Sequence, residues 1–431
     1  MAKSVLRQAL RVFSRGKIQN EELRRYGKFG SRALNSENYF AILTLARLPE
    51  KMMTPLYMEK LACSWFFVAP SLAYGLFTSR LPAIRQAVKA DDSQIATLLL
   101  GLGLSTLCAL LASDRILEKF GARKATAFAI IWLVCGITLL CLALSFWQIL
   151  VCAVLTGFGV GLCDVGMNAM GLALEKRSGK YCMSFLHAVS GLGGVAGAVS
   201  GSLFAARTLS PFANAALVLG LYLCVLPFAW RRLGQSPEIM ERRTGGLGSL
   251  PLFVFVCGVL GLICHIAEGS VGSWGSVFLH SVKGAPQDEA ALAFAMFTGA
   301  LVASRFFADW FRSVLGDFLL MLGGSLFGAA GMALVLLASN PLICLVGYAV
   351  MGFGLGPVVP ILFSRAGAAK GVTTAQASAL VSIFSYAGLL FFPPFLGYLA
   401  KTVGLAPSLW LIVALCLIQA LGAAAFLKRR V

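Results

Sequence analysis

Two acidic residues, Asp164 and Glu268, lie deep within apolar stretches of this sequence. A carboxylate at the centre of a lipid bilayer costs roughly 2.5–3.5 kcal/mol on insertion scales, so such residues are usually retained for function. A carboxylic acid in that position can load and release a proton at physiological pH. Both residues are candidate proton carriers, and Glu268 is the first choice because polar and aromatic groups recur from His265 to Trp274. The alternative is that each acid pairs with a neighbour and only locks two helices together.

Four further residues could contact a small polar solute. Asn168 lies four residues after Asp164, so both side chains project from one helical face and could grip a hydroxylated or amino-bearing molecule. Trp274 ends the polar stretch just described, and Tyr386 precedes two prolines that interrupt the helical hydrogen-bond ladder. His187 begins a glycine-rich stretch, where it could shuttle protons. The structural alternatives at these positions are helix packing, a kink, or a hydrogen bond at a helix end.

Charged residues near the ends of the apolar stretches are candidate gating residues. Arg305 and Asp309 are four residues apart, a spacing that favours an ion pair reaching the membrane surface. Glu118 and Arg123 belong to a charged rim after the second apolar stretch. We interpret these four residues as gating and topology residues, not as solute ligands.

Twelve apolar stretches must position all of these side chains. Apolar residues make up 58% of the 431-residue chain, and charged residues only 13%. A hydrocarbon layer of about 30 Å requires about 20 apolar residues per helix, and backbone groups in lipid must pair internally, as a helix allows. The sequence therefore predicts an all-α polytopic membrane protein with twelve transmembrane helices. The predicted spans are 61–79, 94–113, 125–145, 148–172, 183–205, 211–230, 251–279, 290–311, 316–338, 341–363, 376–399 and 407–427.

The placement of charge predicts the topology. The net charge is +18, and 29 of the 36 Lys and Arg residues fall in segments that share one side of the membrane. Because positively charged loops stay in the cytoplasm, we expect a protein of the cell inner membrane with both termini cytoplasmic. The basic residues therefore set the topology in a lipid bilayer and do not form a nucleic-acid-binding surface.

The chain divides into two halves that resemble each other. We expect a six-helix bundle over 61–230, a cytoplasmic linker over 231–250 and a second six-helix bundle over 251–431. The pentapeptides Gly157–Gly161 and Gly352–Gly356 are offset by 195 residues, and Tyr74-Gly75 matches Glu268-Gly269 at an offset of 194. Parallel repeats of this kind are typical of secondary transporters that alternate access to a central site.

Residues 1–60 form a basic cytoplasmic extension ahead of the first span. Residues 1–20 contain five Lys or Arg residues and no acid. An arm lying on the membrane surface is one explanation. A start assigned too early explains the segment equally well, because Met52, Met53 and Met58 precede the first span. A targeting segment is the third explanation.

The sequence lacks the signatures of several other classes of protein. There is no GxxxxGK[ST] phosphate-binding loop for an ATP-driven pump. No nucleophile–base pair suggests an enzyme, and the twelve Cys residues form no CxxC pair or Cys/His cluster at metal spacing. We therefore expect no enzymatic activity, no cofactor, no bound metal and no disulfide bond.

The segment from Glu118 to Lys124 resembles the D-R-x-G-R-K signature of the major facilitator superfamily. Other segments resemble its MosC-like, rhizopine-type branch, and together they cover most of the chain from Leu61: Arg80–Arg85, Val165–Gly171, His187–Gly193, Ala267–Gly269, Trp274, Arg305-Phe306 and Tyr386–Gly397. The resemblance implies a twelve-helix secondary transporter whose halves rock about a central site. The superfamily's exporter signature, G-P-x-x-G-G, is not reproduced in the fifth span, which favours uptake.

Our leading hypothesis is a monomeric, proton-coupled transporter that takes up a small polar solute such as a sugar, polyol or amine. The alternative is an exporter of drugs or metabolites that exchanges them for protons. A membrane scaffold or sensor without transport is a third class, for which intramembrane acids would be costly and without purpose.

Overall fold

The computed structural model describes residues 55–90, 92–233 and 245–426. Most of the predicted extension at 1–60 lies outside the described residues, as do most of the linker at 231–250 and the basic tail after residue 426. Within the described ranges the chain is helical, and no strand is present. The all-α prediction is confirmed.

Twelve helices of membrane-spanning length occupy the described ranges. In the first half these are α1 (Pro55–Val88), α2 (Asp92–Phe120), α3 (Ala122–Leu140), α4 (Phe146–Ser178), α5 (Met183–Ala206) and α6 (Pro211–Arg232). In the second half α7 is Leu252–Ser281, α10 is Pro341–Gly367, α11 is Thr374–Val403 and α12 is Leu405–Phe426. Between them, Gln287–Leu337 bends sharply at Gly316, where φ is 76°, and so divides into α8 (287–315) and α9 (317–337).

Side chains at the helix ends explain where several spans begin and end. The Ser210 hydroxyl accepts a hydrogen bond from the Ala213 N–H at 3.1 Å, just ahead of a proline in the first turn of α6. Thr373 and Gln376 form a reciprocal capping box at the start of α11. Gly179 ends α4 in the left-handed conformation that glycine tolerates best. The predicted spans match within a few residues, except that α1, α2 and α4 extend well beyond 61–79, 94–113 and 148–172.

Two helices are irregular near their middles. In α7 the segment Val271–Gly275 forms a π-helical turn directly after Ser270, and such turns occur often at functional sites. In α10 the regular helix stops at Leu355 and resumes at Val358. Irregular backbone inside a membrane is tolerated where it is buried in protein or lines a cavity. These interruptions therefore mark the part of the bundle to search for a site.

The outer surface of the helical bundle is apolar, as contact with a lipid bilayer requires. Large apolar side chains are exposed along most helices, among them Leu111, Phe228 and Leu421. Trp147, near the start of α4, and Tyr398, near the end of α11, are also exposed. Both helix ends lie on the same side of the bundle, where an aromatic belt at the membrane–water interface is expected.

Matched glycine contacts confirm the internal repeat. A Cβ atom added at Gly193 in α5 would lie 3.0 Å from the Val68 carbonyl oxygen of α1. A Cβ added at Gly388 in α11 would lie 2.7 Å from the Leu262 carbonyl oxygen of α7. The positions are offset by 195 and 194 residues, so the same close helix crossing recurs in each half. Small residues permit such close approach between membrane helices.

Replacing Gly352 in α10 by alanine should destabilise the fold, because the new Cβ would clash with the backbone carbonyl of Phe297. Overpacking of this kind costs about 1–3 kcal/mol. Gly299→Ala in α8 is the matched control, since a Cβ there meets nothing within 4 Å. We expect thermal unfolding in detergent, followed by tryptophan fluorescence, to show a lower Tm for Gly352→Ala and an unchanged or higher Tm for Gly299→Ala. Equal Tm values would contradict the packing described.

Candidate functional site

The two ends of the bundle differ in charge. We call the end that carries the connections after α2, α4, α6, α8 and α10 the basic end, because most loop Lys and Arg residues lie there. The other end is the opposite end. The first half comprises α1–α6, and the second half comprises α7–α12.

Asp164 connects the two halves near the middle of the bundle. Its Oδ2 atom accepts a hydrogen bond from the Ser382 hydroxyl of α11 at 2.5 Å. One turn nearer the start of α11, the Ser378 hydroxyl donates to the Val165 carbonyl at 2.9 Å. The sequence-predicted acid is therefore bonded across the interface between the halves, and none of the described Lys, Arg or His residues forms an ion pair with it.

Asn168 and His187 are bonded to each other. The fully buried Asn168 amide donates to the Asp164 carbonyl oxygen at 2.9 Å, and its Oδ1 lies 3.0 Å from the His187 Nε2. The imidazole of His187 stacks on Phe363 of α10 with ring centroids 5.7 Å apart, and its centroid lies 5.4 Å from that of Phe67. The structure therefore places both predicted solute contacts in one network, and their role in binding stays a prediction.

The interruption of α10 organises the neighbourhood of Glu268. Proline at position 360 has no N–H, so the Gly356 carbonyl four residues earlier loses its usual helical partner. The Arg305 Nε–H donates to that carbonyl at 3.0 Å. The adjacent Leu355 carbonyl accepts from the Cys264 thiol of α7 at 3.7 Å. Glu268 lies one helical turn beyond Cys264, so it is close to the same interruption.

The Glu268 carboxylate is half-buried and accepts no hydrogen bond from the residues that the structure describes. Five ionisable side chains among the described residues lie close enough for a direct electrostatic interaction with it: Arg305, His265, Cys264, Tyr74 and Tyr386. Tyr74 comes from the first half, at the position that the internal repeat pairs with Glu268. A carboxylate at the centre of the bundle without a bonded partner is available to a proton or a solute.

Tyr386 lies between the two acids. Its phenol, half-buried on α11, is within electrostatic range of both Asp164 and Glu268, and also of Tyr74. Residues from α1, α4, α7 and α11 therefore converge on one central region that neither half forms alone.

Trp274 lines a cavity between α7 and α11 that is largely open to the outside of the protein. Its indole N–H donates to the Pro393 carbonyl at 3.0 Å, and a cavity of roughly 390 Å³ lies alongside. Helix α11 continues through both of its prolines, so they do not end the helix. The residues lining the cavity are Ser273, Trp274, Leu389, Leu390, Pro393 and Pro394.

Arg305 and Asp309 do not form the ion pair that their spacing predicts. The Asp309 carboxylate instead accepts hydrogen bonds from the Ser184 and Phe185 N–H groups at 3.2 and 2.9 Å, in the first turn of α5. Those N–H groups have no partner within their own helix, while Arg305 is bound to the Gly356 carbonyl. Each side chain satisfies a backbone group on a neighbouring helix, so the two diverge.

A charged cluster at the basic end was not predicted. Arg312, only 2% exposed, forms an ion pair with Asp317, lies 3.8 Å from the Glu175 carboxylate and stacks 3.7 Å from the centre of the Tyr181 ring. Arg365 adds a second contact to Asp317 at 3.4 Å. Glu175 and Arg312 belong to different halves. Glu175 and Asp317 each lie near a basic loop, but no spacing rule links these positions.

Arg123 and Glu118 lie at the basic end within the first half. The Arg123 guanidinium donates to the Trp230 carbonyl at 2.5 Å and lies 4.1 Å from the centre of that indole ring. It therefore holds the start of α3 against the end of α6. Glu118 is exposed near the end of α2. Their role as gates stays a prediction.

Polar contacts between the halves extend from the middle of the bundle to the basic end. They pass through Asp164 and Ser382, then through Asp309 and the first turn of α5, and finally through Glu175 and Arg312. The bundle is thus closed at its basic end.

Comparison with known proteins identifies related sequences and folds. The family model described as Major Facilitator Superfamily matches residues 62–371. An uncharacterized MFS-type transporter of Yersinia pestis is 28% identical over 366 residues, covering 84% of this chain and 93% of that protein. Membrane protein MosC of Rhizobium meliloti is 26% identical over 377 residues, covering 86% and 90%. The crystal structure of the MFS transporter FucP in the outward conformation has a TM-score of 0.70 at 15% identity, covering 86% of this chain and 98% of FucP. The resemblance predicted from the sequence is confirmed, and the match to FucP shows a shared fold.

Cys182 reports on closure of the basic end. It lies in the loop between α4 and α5, where burial raises the pKa of its thiol and the nearby Glu175 carboxylate raises it further. Thiolates, not thiols, react with maleimide. We therefore expect slow labelling in a variant that keeps only this cysteine.

In that single-cysteine variant, Asp309→Ala should accelerate maleimide labelling of Cys182. The substitution removes the acceptor for two N–H groups of α5, a loss worth about 1 kcal/mol, or roughly a fivefold larger open population. Glu289→Ala, near the opposite end of the same helix, should leave the rate unchanged. An unchanged rate in Asp309→Ala would show that this carboxylate does not keep the basic end closed.

Proposed function

The chain belongs to the major facilitator superfamily, and from that premise we propose that it is a proton-coupled secondary transporter that takes up a small polar solute by alternating access. One observation carries the proposal. The Glu268 carboxylate, in the middle of a membrane-spanning bundle, is held by no hydrogen bond among the described residues, yet it lies in the electrostatic field of Arg305 and His265. Such an acid is costly unless it works with a moving ion.

The closed basic end supports alternating access. Opening it would require separating Asp164 from Ser382, Asp309 from the first turn of α5, and Glu175 from Arg312. All of these are side-chain contacts between halves, so a rigid rotation of one half against the other can break them without unfolding a helix. Rocking of two parallel halves about a central site is how such repeats alternate access. We assign the basic end and both chain termini to the cytoplasm, because the positive-inside rule places them there.

Two close crossings offer surfaces for this rotation. A Cβ added at Gly103 of α2 would lie 2.9 Å from the Leu390 side chain of α11, and one added at Gly191 of α5 would lie 2.6 Å from that of Val302 in α8. At each crossing glycine has no side chain, so the two helices pack closely without interlocking side chains. The halves can therefore stay in contact at both crossings while their ends open and close.

The proposed transport cycle assigns separate tasks to the central residues. Glu268 takes up a proton from the side that is open, and Tyr386, between the two acids, contacts the solute. Asn168 and His187, which are bonded to each other, provide polar groups from the first half. Trp274 lines the cavity in the second half. A solute that contacts Tyr386, Asn168 and His187 would be small and hydroxylated, because these side chains offer hydrogen-bond donors and acceptors in an otherwise apolar bundle.

Glu268→Gln should uncouple transport from protons. We expect the purified variant in liposomes to keep exchange of labelled against unlabelled solute but to lose accumulation driven by a pH gradient, because glutamine cannot carry the proton. The probes are radiolabelled polyols, hexoses and amino-sugars, screened first with the wild-type protein. Glu289→Gln is the matched control. Unchanged accumulation and pH dependence in Glu268→Gln would refute the assignment, and accumulation driven only by acid inside the vesicles would indicate proton-antiport export.

Asp164→Asn separates the second candidate carrier from the first. Because the Asp164 carboxylate is bonded to Ser382 across the halves, we expect this variant to reach the wild-type accumulation ratio at an altered rate. The Ser382→Ala variant should show the same change in rate, measured as initial uptake. Loss of accumulation with exchange retained in Asp164→Asn would move the proton carrier from Glu268 to Asp164.

A further inference from the structure

Arg305 presents part of its guanidinium group to the centre of the bundle. The side chain is half-buried, and its Nε–H donates to the Gly356 carbonyl at 3.0 Å. The two terminal nitrogens have no protein partner in the part of the chain that the structure describes. A guanidinium has five N–H donors in a planar fork, so one edge of Arg305 is fixed by α10 and the remaining donors are available.

The positive charge of Arg305 is balanced by a nearby acid that does not contact it directly. Glu268 is the acid whose field acts on it, but no ion pair within 4.0 Å joins the two among the described residues. Asp309, one turn along the same helix, is bonded to the first turn of α5. His187 and His265 also lie within electrostatic range of Arg305, and neither provides a negative charge.

Loading a proton therefore changes the charge of the site. An arginine side chain remains protonated in proteins, so the pair is neutral while Glu268 is ionised and carries one positive charge once Glu268 is protonated. An uncompensated charge in a low-dielectric interior is strongly unfavourable. A negative group arriving with the proton would restore neutrality, and a carboxylate matches the geometry of the guanidinium fork.

We propose that Arg305 is a solute-binding residue and that the transported solute is a small hydroxylated monocarboxylate. Arg305 binds the carboxylate, and the hydroxyl groups of the solute lie toward Tyr386 and the Asn168–His187 pair. Arg305 thus has a different role from the gate that its position in the sequence suggests. This inference rests on the proposed function and narrows the class of solute. It also requires that one proton and one anion move together, so each cycle transfers no net charge.

Matched pairs of acids and alcohols test the proposal directly. The pairs are D-gluconate with D-glucitol, D-galactonate with D-galactitol, and D-glycerate with glycerol, each added to the purified full-length protein while thermal unfolding is recorded. We expect at least one acid to raise the Tm in a concentration-dependent manner while its alcohol does not. If no acid in the panel stabilises the protein more than its alcohol, the proposal is overturned.

Substitutions at Arg305 locate the bound carboxylate. Arg305→Gln should abolish the stabilisation by the acid, and Arg305→Lys, which keeps the charge but lacks the fork, should weaken binding roughly tenfold to a hundredfold. The Lys variant keeps the test valid if the Gln variant fails to fold. Arg207→Gln, at an exposed position on the opposite end, should bind as the wild type does. Wild-type affinity in either Arg305 variant would overturn the proposal.

Transport measurements separate this inference from the proposed function. In liposomes, uptake of the acid should follow the pH gradient and ignore a membrane potential set with potassium and valinomycin. A response to the potential overturns the charge balance. If the acid binds through Arg305 but moves no proton, the solute class stands and proton coupling fails. If a neutral polyol accumulates with the pH gradient and Arg305→Gln is unaffected, coupling stands and the solute class fails.

Discussion

This structure depends on one constraint, that every backbone polar group inside the membrane needs a hydrogen-bond partner, and the bond from Arg305 to the Gly356 carbonyl is an example. A backbone carbonyl inside lipid must find a donor within the protein, because no water is available there. Pro360 removes the helical donor to Gly356, and Arg305 replaces it from the neighbouring helix. The same bond brings a permanent positive charge to the centre of the bundle, close to Glu268. The interruption of α10 and the charge of the site thus have one physical origin.

Other polar groups satisfy the same constraint by reaching across the interface between the halves. Asp309 accepts from free N–H groups at the start of α5, and Ser378 donates to a carbonyl of α4. In the proposed cycle these surfaces separate, and only one or two hydrogen bonds join them at each position. A single exchanged hydrogen bond is worth about 0.5–1.5 kcal/mol, so a handful of them stabilises one conformation without making it permanent. The closed basic end is therefore compatible with a transporter that cycles.

Several elements of the fold were predictable because their physical causes are local. Apolar length determines where a helix can cross the bilayer, and the glycine pentapeptides at 157–161 and 352–356 exposed the internal repeat. That repeat is realised in three dimensions by equivalent crossings at Gly193 and Gly388. The bounds of α1 and α2 were less predictable, because helical hydrogen bonding continues beyond the apolar segment into polar residues. The central acids were also identifiable, since each stands out in an apolar stretch.

Local spacing could not supply the partners of the charged residues. The four-residue separation of Arg305 and Asp309 favours a pair on an isolated helix, but unsatisfied backbone groups on α10 and α5 bind them more favourably. Arg312 and Asp317 are only five residues apart, but Glu175 is distant from both in the sequence, so its contact with Arg312 forms only when the halves meet.

The sequence by itself determined the all-α character of the chain, its twelve spans, the relation between its halves and the presence of acids at membrane depth, because composition and periodicity along the chain are sufficient for each. Only the tertiary structure decided that Asp164 is bonded across the halves, that Glu268 accepts no hydrogen bond from the described residues, and that Arg305 lies within electrostatic range of Glu268. Those outcomes depend on which helices pack together and on which backbone groups lack a hydrogen-bond partner after packing. Neither can be predicted from the residues of a single helix.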